Sequence, residues 1–93
     1  MTDGRYEVEL SPAAERALRK LEKSDRRTAE RIVAALEDLE ADPRPAGVSA
    51  LTGYPAALRI RVGDWRVVYR VEEARLLVLV LQIGHRREIY RGL

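Results

Sequence analysis

Tyr6, Val8 and Leu10 alternate with Glu7 and Glu9, the two-residue period of a strand with one buried face. The period then lengthens. Ala14, Ala17, Leu18 and Leu21 recur at spacings of three and four, which makes one apolar helix stripe with a charged outer face. Ser11 is placed to cap that helix, Pro12 suits its first position, where a missing N–H costs nothing, and Glu15 favours the positive end of the dipole. A second stripe, Ala29, Ile32, Val33, Leu36 and Leu39, follows Ser24 and Asp25, either of which can cap it. It stops before Asp42-Pro43, because the residue preceding proline disfavours the helical conformation. Two short helices with so brief a connection predict a helical hairpin.

Residues 46–56, "AGVSALTGYPA", read as a loop. Alternation returns in "LRIRVGDWRVVYRV". With Gly63-Asp64 as a two-residue hairpin turn, Val62 faces Trp65, Ile60 faces Val67 and Leu58 faces Tyr69, all on one apolar side. Trp65 and Tyr69 therefore read as core rather than as base-stacking platforms. Glu72-Glu73-Ala74 marks another turn, and "RLLVLVLQIG" is apolar on both faces, as in a central strand covered on both sides. The same property leaves its register open. The order strand, helix, helix, three strands predicts an α+β fold: a β-α-α-β-β-β sandwich with the N-terminal helical hairpin packed on one face of an antiparallel-rich sheet.

The 93 residues, 46% apolar, suffice for one compact domain over 1–93 and are too few for two. Without cysteine, neither a disulfide framework nor a thiolate metal site is available, which suits a reducing compartment. "MTDGRYEVEL" lacks the pattern of a secretory leader, and the longest apolar run, "LLVLVL", is too short to span a bilayer, so the expected location is the cytoplasm, away from membranes. The charge is unevenly spread. Residues 1–45 carry 9 basic against 11 acidic side chains, and residues 46–93 carry 8 against 4. Arginine supplies 15 of the 17 basic residues, an excess that a GC-rich genome alone produces, so position carries the information.

In the hairpin register above, the face opposite the apolar one holds Arg59, Arg61, Arg66 and Arg70, with Arg61 directly across from Arg66. Like charges in that arrangement are destabilising. Two unit charges about 5 Å apart repel by roughly 1 kcal/mol in water and about 3 at an effective dielectric near 20. A solvated face with arginines paired to Glu72, Glu73 or Glu88 is the structural alternative, but those acids sit at turns or in the tail, and none alternates with the arginines along the two strands. The cluster points to a polyanionic partner, because guanidinium groups bind phosphate in bidentate fashion and phosphates supply most of the affinity for nucleic acid.

The tail adds chemistry to binding. RNA phosphodiester cleavage needs charge stabilisation on the phosphorane, a group to take the 2′-hydroxyl proton and a group to protonate the leaving 5′-oxygen. His85, Arg86, Arg87 and Tyr90 offer these types within six residues, with Arg91 beyond them. No carboxylate pair, serine triad, Gly-rich phosphate loop or metal cluster competes. His85 and Tyr90 are alternative proton carriers. As structural residues, the first is a strand-end cap and the second a packing group with a wet hydroxyl.

"YEVELSPAAERALRKL", "LTGYPAALRIRVGDWRVVYRV" and "GHRREIYR", in this order across nearly the whole chain, resemble the RelE family of type II toxins within the RelE/ParE superfamily. The resemblance implies the same strand, helical hairpin and three-strand layout. It also implies a metal-independent, cofactor-free endoribonuclease, an mRNA interferase that cleaves message in the ribosomal A site and is silenced by a cognate antitoxin, reaching operator DNA only as the toxin–antitoxin complex. By position it places catalytic roles on Arg61, Arg66, Arg86 and Tyr90, with His85 as the further candidate. Arg59, Arg70, Arg87 and Arg91 remain to grip message or ribosomal RNA. Arginine stands at 59 and 61 where the family carries lysine, and a guanidinium that stays protonated does not move protons. Two other readings stay open: a ParE-type toxin that poisons DNA gyrase by binding alone, and an inactive member that only pairs with its antitoxin.

Overall fold

The computed structural model describes residues 5–51, 53, 54 and 56–89. Strand β1 (Glu7–Leu10) leads into α1 (Pro12–Ser24) and α2 (Arg26–Ala41), followed by β2 (Ser49–Ala50), β3 (Ala57–Val62), β4 (Trp65–Glu72), a 3-10 turn (Glu73–Arg75) and β5 (Leu77–His85). One five-stranded mixed sheet runs β1-β5-β4-β3-β2, with β1 parallel to β5 and all other neighbours antiparallel. Both helices pack on one sheet face, giving the expected α+β architecture. Among the described residues no helix is long and apolar enough to cross a membrane.

The caps form as the sequence predicts. Ser11 accepts from the Ala14 amide at 3.1 Å, and Asp25, the single residue between the helices, caps α2 by accepting from the Thr28 amide at 3.2 Å. Hydrogen bonds from Thr28 also hold the Asp25 carboxyl below its ordinary pKa, since they favour the charged form. The helical hairpin buries Ala14, Leu21, Ala29, Ile32, Leu36 and Leu39 against Ile60, Val62, Val67, Tyr69, Val78, Val80 and Ile83 of the sheet. Tyr69 is fully buried, and its hydroxyl donates to the Pro43 carbonyl at 2.6 Å, which fastens the end of α2 to β4. Burial pushes the Tyr69 phenol up to about 12.

Two features depart from the sequence reading. Residues 46–56 are not wholly loop, because Ser49 pairs with Arg59 and Ala50 with Leu58 to make β2. Two residues are too few to display any alternation. The second feature is a bulge between β4 and β5: Val68 pairs with Gln82 but Tyr69 with Val80, so Leu81 has no partner across the ladder. The Leu81 carbonyl instead accepts from the Ser11 hydroxyl at 2.7 Å, so one serine caps α1 and holds the bulge.

Candidate functional site

The hairpin register is the one the alternation predicts: Val62↔Trp65, Arg61↔Arg66, Ile60↔Val67, Arg59↔Val68 and Leu58↔Tyr69. Gly63 takes φ 61° and Asp64 does not follow it to positive φ, the pattern of a type II′ turn, whose twist matches that of the flanking strands. Arg59, Arg61, Arg66 and Arg70 thus share the sheet face away from the helices.

That face is not uniformly cationic. Val68 lies on it between Arg66 and Arg70 and is fully buried, packed with Ala57 under Ile89 of the tail. The arginines also differ in their partners. Arg70 pairs with Glu72 at 3.3 Å, the structural alternative realised at this one strand position. Arg59 donates to the Ser49 hydroxyl at 3.1 Å, so the short strand β2 steadies it. The Arg66 guanidinium turns toward the hairpin tip and donates to the Trp65 and Gly63 carbonyls at 3.1 and 3.3 Å. Arg61 is exposed. Neither Arg61 nor Arg66 has a carboxylate of the described residues at ion-pair distance, although they stand opposite one another.

Across β4, Arg66 pairs with Gly84, so Arg61, Arg66 and Gly84 form one row over three strands. The chain then turns. The Arg86 amide donates to the Asp64 carbonyl at 2.8 Å, and its guanidinium lies 3.8 Å from the Asp64 carboxylate. Arg86 therefore joins Arg61 and Arg66 at the tip of the hairpin. Arg87 is exposed beside it.

His85 is not brought to this face. It pairs with Trp65, whose indole packs against the helix-side core, and the two rings meet edge to face at 6.0 Å. The imidazole borders a groove of about 320 Å³ with Asp25, Thr28 and Arg31 of the helical hairpin, across the sheet from Arg66. Its Nδ1 accepts from the Arg87 amide at 3.3 Å, a strand-end capping role. Tyr90 and Arg91 lie outside the described residues.

The sequence reading missed two contributors. Gly84, across the ladder from Arg66, gives Ile89 room for its close approach, and Ile89 is the tail residue buried on the arginine face. Each had a signal: a glycine inside an otherwise apolar strand marks a close approach, and Ile89 is flanked by charged and polar residues in "HRREIYR". Chemically, the tip presents three guanidinium groups, two of them without a carboxylate partner among the described residues, a suitable receptor for a phosphate whose charge grows during reaction.

Comparison with known proteins agrees with the fold. Residues 8–90 match the family model of the ParE toxin of the type II toxin–antitoxin system parDE. Toxin RelG of Mycobacterium tuberculosis is 30% identical over 86 residues, spanning 92% of this chain and 97% of that protein. Among solved structures, the RelBE2 toxin–antitoxin complex of Mycobacterium tuberculosis contains a chain that superposes with a TM-score of 0.75 at 26% identity, covering 88% of this chain and 99% of the other. The archaeal RelE–RelB complex of Pyrococcus horikoshii gives 0.72 at 28% identity, with 88% and 96% covered.

Proposed function

This chain belongs to the ParE toxin family of type II toxin–antitoxin systems, within the RelE/ParE superfamily, and from that membership we propose that it is a ribosome-dependent endoribonuclease. The observation that carries the reading is the Arg61–Arg66 pair, two cations held opposite each other without a carboxylate among the described residues, while neighbouring Arg70 and Arg86 have acidic partners. A fold gains nothing from that pairing, whereas a bound phosphate turns the repulsion into shared attraction.

In the reaction, the 2′-oxygen of the message attacks the adjacent phosphorus and the bond to the 5′-oxygen breaks. The products are a 2′,3′-cyclic phosphate and a free 5′-hydroxyl. Arg61, Arg66 and Arg86 hold the charge that gathers on the non-bridging oxygens. Arg59 and Arg87 grip the nucleic-acid backbone. Because His85 lies across the sheet, the proton leaving the 2′-hydroxyl falls to Tyr90 acting as phenolate, and the departing 5′-oxygen takes its proton from solvent water. A phenol ordinarily loses its proton near pH 10, and cations around it favour the phenolate. The reading requires no metal ion. An antitoxin is the expected regulator, as in the toxin–antitoxin complexes of RelBE2 and archaeal RelE, with carboxylates to meet the arginine face.

One observation favours a second reading. The matching family model is that of ParE toxins, which suits a toxin that poisons gyrase by contact alone. Induction of the chain in a bacterium, with 5′ ends of messages mapped and chromosome breaks scored, separates the two. Cleavage within reading frames, lost in Arg66→Ala and Arg86→Ala by about 10²–10³-fold, supports the nuclease. Intact messages with broken DNA support the gyrase poison.

A further inference from the structure

The arginine face contains a patch that phosphate chemistry does not call for. Ala57, Val68 and Ile89 are buried there at 6%, 0% and 3% exposure, with Leu51 and Leu81 packed against them. Ile89 comes from the tail and has crossed over the sheet to reach this patch. Its seat is Gly84. A Cβ at position 84 would lie 3.0 Å from Ile89 Cδ1 and 3.3 Å from its Cα, tighter than carbons ordinarily pack, so Ile89 would have to give by a few tenths of an ångström. Gly84 has no positive φ, so the close approach of Ile89, not the backbone angle, is what favours a glycine here.

Arg86 lies within the segment that this seat closes. Its amide is bonded to the Asp64 carbonyl, and behind it the Arg87 and Glu88 amides return to His85, the latter at 2.9 Å to the carbonyl. The guanidinium has no such hold of its own: it is half-exposed, and its carboxylate contact at 3.8 Å is loose. An exposed arginine with so little contact keeps most of its rotamer freedom, so what places it is the backbone beneath. Backbone bonds fix the turn at its start, and Ile89 fixes it at its end.

We propose that Ile89, seated on Gly84, is a positioning residue for Arg86, holding its backbone so that the guanidinium stays at the hairpin tip shared with Arg61 and Arg66. The proposal rests on the endoribonuclease reading for its effect on cleavage, and on local geometry alone for the seating itself.

The test is a double-mutant cycle read by single-turnover mRNA cleavage on programmed ribosomes, with amide hydrogen exchange on the free protein. Ile89→Ala is expected to lower kcat by about 30–100-fold, the effect of misplacing a group by roughly 1 Å. KM for ribosomes should stay within about twofold, since the loss is in the transition state. In an Arg86→Ala background the same substitution should cost less than about threefold, because residues acting through one group are not additive. Ile89→Val should restore most of the rate. Gly84→Ala, which leaves the patch intact and blocks the seat from the other side, should reproduce the pattern if Ile89→Ala folds poorly. In either variant the Arg86 and Glu88 amides should exchange at least about tenfold faster, with the helix amides unchanged. Equal cost with and without Arg86, or unchanged exchange at Arg86, overturns the proposal. A wild-type protein that cleaves nothing overturns the nuclease reading instead, and the exchange result still decides the seating.

Discussion

Arg61→Gln should make the protein more stable and less toxic at once. Arg61 and Arg66 are registered neighbours on adjacent antiparallel strands, next to the pair that closes the hairpin, where Cα atoms approach to about 4.5 Å. Their charges extend into solvent, so the repulsion is closer to the aqueous value of about 1 kcal/mol than to the 3 or so of a partly buried pair. Arg66 has carbonyl acceptors at the turn, whereas Arg61 is exposed and gives up no ion pair when neutralised. For a domain of this size, 1 kcal/mol corresponds to about 4–8 °C in Tm. Melting at about 0.01 M and 1 M salt makes the test specific, because the screening length falls from about 30 Å to about 3 Å. Arg61→Gln should melt several degrees above wild type at low salt, and the gap should close at high salt. A variant that melts at or below wild type at low salt, or a gap indifferent to salt, refutes the view that the pair is held against a folding cost.

Arg70→Ala, which breaks only the Glu72 pair, should change stability by less than about 1 kcal/mol and leave growth arrest nearly intact, in contrast to Arg66→Ala; equal loss of toxicity in dose–response curves would put Arg70 in the site. Ser11→Ala should cost about 2 kcal/mol in urea unfolding, roughly half from the lost helix cap and half from the Leu81 carbonyl left without its donor; a loss under about 0.5 kcal/mol would show that neither bond matters. Tyr69 is raised to about 12 by burial against 10.0 for a free phenol, so its contribution is complete below pH 10 and is lost as pH rises from there toward 12. Tyr69→Phe should therefore show a flatter Tm between pH 10 and 12. At the acid end, Asp25 and Glu73 have lowered values, so their contributions are present above about pH 4 and are lost as pH falls through the folded pKa; Asp25→Asn should flatten the acid limb of the same curve.

Legibility in the sequence followed patterning. Ser11, Pro12 and Asp25 announce their helix ends because caps use short-range chemistry, and the β3–β4 register follows from alternation closed by Gly63-Asp64. Strand β5 is different. Both of its faces are apolar, so nothing in "RLLVLVLQIG" announces the bulge at Leu81. In a strand, a shift of one residue exchanges the faces. That is why the sequence groups His85 with the tail arginines and the structure sets it beside Trp65. Ile89 is only half legible for a related reason: its charged and polar neighbours hint that it is buried, but its seat on Gly84 is made only after the tail reverses direction.

The parallel pairing of β1 with β5 bears on how the molecule is made. The Ser11 hydroxyl reaches a carbonyl 70 residues away, and every β1 ladder partner lies in β5, the last described strand in chain order. Contacts of that span carry a large loop-closure cost before they return any energy, which places this topology toward the slower end of small-domain folding. During synthesis the helical hairpin is complete long before β5 exists to receive its apolar stripe. A chain terminated before Leu77 lacks the strand that joins β1 to β4, so it has no continuous sheet and no platform for the arginines. Toxicity should thus arise abruptly, once β5 is in place, and termination ahead of that strand should yield inert fragments instead of weakened poisons.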